Sequence, residues 1–427
     1  MTNIANIKNN LVLFFIILLG FIPSPYVINL GFLSINLDRL FLGFLSFIGI
    51  LFLINKGSFR ISKLHLFLLL FLSYSILNNF FLGQLQLMSI YSIILLIVIS
   101  SEDIKEEVLY LALKISFLGY VFWALFSLIY FFYYGPLVQL PFSSILPEIF
   151  QKDLGHAEVV ANYYSLFPRV SFPFGTPPVL SCLGAMYFLF FLHQLKLQNN
   201  SFIKKSSFVY FGLAFSLFIA IITVSKTGFA IILAGLIINF LLDLKWKINK
   251  KSFFYSLAIF FLLIIFFLFL ISFIESNPIS NFIYQRLFLS SAVDFDANYE
   301  GGHLNIRLKA IQEFLSFSIF HKIFGIGYLN IEDLHYHSSL LTALHEIGIL
   351  GFIFLMLILF LPIKNAFHIY IYTNSKKELQ KAKYVISSGV CIIVAHLVYE
   401  IPYAQFLWVF WGYLLAGSRN NEYRSEY

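Results

Sequence analysis

Residues 253–273 read FFYSLAIFFLLIIFFLFLISF, with only hydroxyls interrupting the apolar side chains. A helix needs roughly 20 predominantly apolar residues to cross the hydrocarbon core of a bilayer. This stretch supplies them without a single charge, and blocks of the same character recur, among them Leu11–Gly20 and Ile90–Ile99. Over the 427 residues, 60% are apolar and 11% are charged. A soluble domain carries roughly 45–50% and about 25%. The apolar residues come in long blocks rather than at amphipathic spacing, so the solvent for most of this chain is lipid. The expected fold is an all-α integral membrane protein of about twelve transmembrane helices in one polytopic domain, residues 1–427.

The spans are expected at residues 11–29, 36–54, 63–82, 85–100, 108–134, 174–195, 207–224, 227–243, 252–274, 337–361, 384–400 and 402–418. Lys and Arg accumulate in the short cytoplasmic loops of such proteins. With the loops numbered alternately from a cytoplasmic N-terminus, 19 of the 28 basic residues fall inside. They include Lys8, Lys105, the run Lys245, Lys247, Lys250 and Lys251, and Lys364, Lys376, Lys377, Lys381 and Lys383. Both termini are then cytoplasmic. Two outside segments, 135–173 and 275–336, far exceed the roughly 12–15 residues beyond which loops are uncommon. They carry aromatic residues, prolines and both signs of charge, unlike a disordered linker. The expectation is two large periplasmic loops containing short helices.

The formal charge of +7 is mostly a property of loops facing anionic lipid, and a nucleic-acid partner is not expected. Both cysteines, Cys182 and Cys391, sit inside apolar blocks, which argues against a disulfide framework or a cysteine-based metal site. The first apolar block lacks a small-residue cleavage site and is followed by further spans, so it reads as a retained helix.

The strongest chemical signal opens the tenth span. His337-Ser338 is followed, after nine residues, by Gly348-Ile349-Leu350-Gly351, with Glu346 just before. The glycines stand one helical turn apart and would allow a neighbouring helix close approach. His337 would sit at the membrane interface, where the competing role is to cap the span. Upstream come Asn305-Ile306-Arg307 and Phe324-Gly325-Ile326-Gly327, which read as an amphipathic segment and a turn. In the first long loop, Arg169 leads a Pro- and Gly-rich run into the sixth span, and Ser225-Lys226-Thr227-Gly228 reads as a very short outer turn. A lysine there opposes the positive-inside trend, a reason to suspect an anionic ligand.

Taken in this order and on one face, these elements resemble the O-antigen ligase and polymerase superfamily of bacterial inner membranes. The likeness covers residues 165–361. Lys226 stands where that family commonly has arginine, and Ser338 where many ligases have asparagine. The resemblance implies a GT-C-like, metal-independent glycosyltransferase without cofactor, facing the periplasm. Its donor would be a glycan on undecaprenyl pyrophosphate, and its acceptor another lipid-linked repeat, as in the O-antigen polymerase (Wzy) family. Membrane lipids are its surroundings, and a chain-length regulator is the one protein partner the resemblance brings into view.

A dianionic pyrophosphate at the membrane surface must be held and its charge stabilised as it leaves. Guanidinium forks match phosphate oxygens, so the resemblance gives Arg169 and Arg307 this role, with Lys226 as a point charge and Ser338 beside them. His337 would orient the acceptor hydroxyl or take its proton as general base, inverting the anomeric centre. The nearest rival is the ligase, with lipid A-core as acceptor. A flippase for lipid-linked sugars would show repeats and a charged midplane path, and neither pattern is evident.

The remaining acidic and histidine residues fit this set less well. Asp294-Phe295-Asp296 has the form of a nucleotide-sugar metal site but reads as a solvated turn in a periplasm without nucleotide sugars. His335 and His337 lack companion metal ligands. Asp38 resembles the acidic residue of other lipid-sugar transferases, yet Arg39 beside it offers a local ion pair. Glu346, an intramembrane carboxylate, is a functional candidate by position.

Overall fold

The computed structural model describes residues 2–21, 27–29, 34–36, 43–44, 63–81, 105–134, 177–198, 207–223, 225–243, 302–327, 338–398 and 405–418. These are almost entirely helical, as expected of an all-α membrane protein. The helices are α1 (Thr2–Phe21), α2 (Lys63–Phe81), α3 (Glu106–Tyr134), α4 (Pro177–Gln198), α5 (Ser207–Ile222) and α6 (Lys226–Asp243). They continue with α7 (Gly302–Ser316), α8 (Ile319–Phe324), α9 (Ser339–Tyr372), α10 (Lys376–Val398) and α11 (Gln405–Ser418). Among the described residues, three stretches are long and apolar enough to cross a membrane: Glu107–Tyr130, Pro178–Leu197 and Ser339–Tyr372. Shorter apolar helices cover Asn9–Phe21, Leu66–Asn78, Ser207–Ile222 and Thr227–Asp243. The expected spans 85–100 and 252–274, nearly all of 36–54, and the long loop 135–173 lie outside the described residues.

Several boundaries differ from the sequence expectation, three of them below for a local reason. The first span was expected to reach residue 29, but α1 ends at Phe21 and Val27–Asn29 is a short strand, β1. It pairs antiparallel with β2 (Ser34–Asn36), Ile28 opposite Ile35. Pro23 and Pro25 follow α1 in sequence, and proline cannot extend a helix without losing a hydrogen bond. The tenth span was expected to stop at residue 361, before Pro362, yet α9 passes through it to Tyr372. Helices in lipid tolerate proline because neighbouring groups satisfy the freed carbonyl. The eleventh span was expected from residue 384, but α10 begins at Lys376 behind a cap. The N–H of Glu378 donates to Ser375 Oγ at 3.4 Å, and Ser375-x-x-Glu378 is a capping-box sequence. Finally, Ser225–Gly228 was expected to be a turn, whereas Lys226 is the first residue of α6.

Small residues and aromatic packing hold the bundle together. Where α1 crosses α3, Gly20 lies directly against Ser116 and Gly119, the close approach that small residues permit between helices in lipid. Trp123 Nε1 on α3 donates to the Phe21 carbonyl at 2.9 Å, closing the last turn of α1. At the centre, Phe117 of α3 meets Tyr187 and Phe191 of α4, both at 4.9 Å between ring centroids. Tyr187 in turn meets Phe410 of α11 edge-on. Such tilted pairs contribute about 0.5–1.5 kcal/mol beyond simple area. The buried Tyr187 hydroxyl donates to the Leu113 carbonyl at 3.1 Å.

One end of the bundle is fastened by a single carboxylate. Asp243, the last residue of α6, accepts from Lys196 of α4 at 2.7 Å and from Lys383 of α10 at 2.5 Å. Next to it, the Leu242 carbonyl accepts from Tyr370 of α9 at 2.8 Å. Four helices therefore meet at Leu242 and Asp243. This is the end to which the charge pattern of the sequence assigns Lys196 and Lys383.

Candidate functional site

The segment that carries Arg307 docks on the beginning of α9. Ala310 of α7 is buried against Leu341 of α9 and Ile326. One turn further, Phe314 lies edge-on to His345 of α9 at 5.6 Å, with Phe317 at 5.3 Å. The pairs 310 with 341 and 314 with 345 advance together, so α7 and the first turns of α9 run parallel. The same offset sets Arg307 level with Ser338, and His337 immediately precedes Ser338 in the chain. Burial pulls the half-buried Arg307 guanidinium below its ordinary pKa, though a guanidinium stays protonated in proteins.

Lys226 comes to this level by a second route. Ser338 Oγ donates to the His396 carbonyl of α10 at 3.4 Å, and Cys391 Sγ of α10 donates to the Ile231 carbonyl of α6 at 3.3 Å. Helices α6 and α10 are antiparallel, since Asp243 pairs with Lys383 while Ile231 pairs with Cys391. His396 stands five positions beyond Cys391, and Lys226 five before Ile231. At 1.5 Å per residue both steps are about 7.5 Å in the same direction. Lys226, His396, Ser338 and Arg307 therefore start from one level of the bundle, at the end opposite Asp243. Ser338 itself is buried, and its hydroxyl ties α9 to α10.

Below this level α9 breaks. Gly348 has φ 65° and ψ −177°, and Gly325, which ends α8, has φ 84° and ψ 179°. Only glycine adopts this region readily. In a continuous helix the carbonyls of His345, Glu346 and Ile347 would accept from residues four further on. Two of them are taken by the turn after α8: Ile326 N–H donates to His345 O at 2.8 Å and Gly327 N–H to Glu346 O at 3.2 Å. The third accepts from Tyr74 of α2, whose hydroxyl donates to Ile347 O at 2.6 Å. The glycines face each other: a Cβ on Gly325 would strike Glu346 O and Gly348 N, and one on Gly348 would strike Ile323 O and Gly325 N. Irregular backbone at membrane depth is tolerated only when protein buries it and satisfies it in this way.

The close approach expected at Gly-x-x-Gly is present, with two different neighbours. Gly348 admits the backbone at the end of α8 and the turn after it, and Gly351 admits the Tyr74 ring of α2. Glu346 is buried and stands about 12 Å along the helix from Ser338 at 1.5 Å per residue. Asp38, Arg169, His337, Asp294, Asp296 and His335 lie outside the described residues.

Sequence reasoning passed over Tyr74 and His396. Each is one of several polar residues on its helix, with nothing local to set it apart. Among the described residues no three His, Cys, Asp or Glu side chains converge as a metal site, and Cys182 and Cys391 are both free and buried. No protein-family model matches this chain, and no curated protein matches its sequence.

Proposed function

We propose that this chain is an O-antigen polymerase of the inner membrane, with about twelve spans, cytoplasmic termini and its reacting groups facing the periplasm. The observation that supports this best is the common level of Arg307, Lys226 and Ser338 at the end of the bundle poor in lysine. Three helices with separate positions in sequence bring two cations and the residue after His337 to one height. A lipid-anchored pyrophosphate, fixed in depth by its headgroup, calls for such an arrangement.

The reaction follows from these residues. Arg307 presents a planar fork to two pyrophosphate oxygens, which a lysine cannot match, and Lys226 adds charge. The acceptor hydroxyl of a new lipid-linked repeat attacks the anomeric carbon of the growing glycan from the face opposite the leaving oxygen. A C–O bond forms as the bond between the anomeric carbon and the phosphate oxygen breaks, and undecaprenyl pyrophosphate leaves with the electron pair. His337 takes the hydroxyl proton. Charge accumulates on the leaving pyrophosphate in the transition state, so donors already aimed there lower the barrier without reorganising.

The deciding experiment is a lipopolysaccharide gel from a host deleted for this gene, with and without a plasmid copy. Cores bearing one repeat, restored to a ladder by the plasmid, support the polymerase. Bare core with long chains accumulating on undecaprenyl pyrophosphate would replace it with the ligase. Bare core without periplasmic lipid-linked sugar would replace it with a flippase.

A further inference from the structure

We infer that Gly325, Gly348 and Tyr74 are positioning residues, which anchor α7 in the register that sets Arg307 level with the start of α9. This rests on the reading of Arg307 as a ligand of the donor pyrophosphate.

Packing alone holds α7 weakly. Ala310 and Phe314 are buried, but Leu308, Ile311 and Leu315 on the same helix are exposed, and so are Ile319, Phe320 and Ile323 on α8. So narrow a buried face leaves the register of α7 to further contacts. An interaction between the His345 ring and the Ala310 backbone and the bonds at the break supply them. The chain runs from α7 through Phe317 and Ser318 into α8, whose first turn is capped by Ser318 Oγ accepting from His321 N–H at 3.3 Å. It then reaches Ile326 and Gly327, whose N–H groups bond to α9.

Those acceptors exist only because α9 is interrupted. Were Gly348 helical, the N–H groups of Ile349 and Leu350 would take the carbonyls of His345 and Glu346, and the turn would have nothing to hold. The break and the anchor are thus one device, and each side of it needs a glycine. Tyr74 completes it from α2, which is otherwise remote from Arg307 in sequence. The third freed carbonyl is bonded to α2, so the opening of α9 is fixed to the bundle and not only to the segment it receives.

The test uses the full chain in nanodiscs, with cysteines placed by Ala310→Cys and Leu341→Cys. The native cysteines are buried, so oxidative cross-linking of the pair reports the register of α7. Chain extension is followed in parallel with undecaprenyl-pyrophosphate-linked repeats as both donor and acceptor. In Tyr74→Phe we expect slower cross-linking and a roughly tenfold fall in kcat/KM, the scale of a sub-ångström to ångström misplacement. Gly348→Ala should lose both more severely.

Tyr74→Phe with unchanged cross-linking and kinetics but a lower melting temperature would overturn the proposal, leaving these residues a purely structural role. If Gly348→Ala does not fold, Tyr74→Phe decides alone. If the unmodified enzyme cross-links but extends no chain, the polymerase reading fails. The register is then still judged by whether Tyr74→Phe slows cross-linking.

Discussion

Asp243→Asn should destabilise the bundle by about 3 kcal/mol, and removing the lysine opposite should restore most of it. The Lys383 side chain is 6% exposed and its ammonium lies 2.5 Å from Asp243. Neutralising the carboxylate leaves that charge buried without its counter-ion, and breaking a buried pair from one side costs about 3–5 kcal/mol. The Asp243 side chain is itself 42% exposed, so water recovers part of this, and the lower end applies. The second partner, Lys196, is 28% exposed and adds at most about 1 kcal/mol, as surface pairs do. Lys383→Met, by contrast, removes the charge that is costly to bury and leaves Asp243 paired with Lys196. It should be close to neutral. The assay is a double-mutant cycle of thermal and denaturant unfolding in mild detergent, with a coupling of about 2 kcal/mol expected between the two positions. If Asp243→Asn costs as much in the Lys383→Met background as in the native one, the reasoning is wrong, because the penalty would then not come from the stranded ammonium.

Three further outcomes follow from other parts of the structure. Arg307→Ala should abolish ladder formation on the lipopolysaccharide gel at wild-type protein level, while Arg307→Lys, which keeps charge but loses the fork, should retain a weak ladder of short chains. Gly119→Ala puts a methyl group against the Gly20 carbonyl and should cost about 1–3 kcal/mol in detergent unfolding, the usual range for overpacking; a neutral result would mean that α1 and α3 do not cross there. Tyr187→Phe removes the hydroxyl bonded to Leu113 and Ser116 and should cost about 0.6 kcal/mol for each bond lost, the mean for side-chain hydrogen bonds in a membrane bundle.

Much of the helical framework is legible from sequence because lipid imposes a length and a composition on each crossing. The blocks at 108–134 and 174–195 emerge as α3 and α4 with ends shifted by a few residues. Sequence also singles out Lys226, a cation against the positive-inside trend, and, through the resemblance, Arg307 and Ser338. It could not show that they share a level. That follows from the offset of α7 against α9 and from two hydrogen bonds made by α10, all contacts between segments distant in the chain.

The division has a physical cause. Apolar length and the placement of Lys and Arg are properties of a helix meeting a bilayer, decided segment by segment, and so they are written locally in the sequence. A freed carbonyl is different. Gly348 looks like any glycine in an apolar helix until a donor for His345, Glu346 and Ile347 is found. Those donors come from Ile326, Gly327 and Tyr74, which no local pattern connects to it. Local sequence thus determined the helical, membrane character and the candidate residues. Only the tertiary structure decided where α9 breaks, what fills the break, and how Arg307 is brought beside the start of α9.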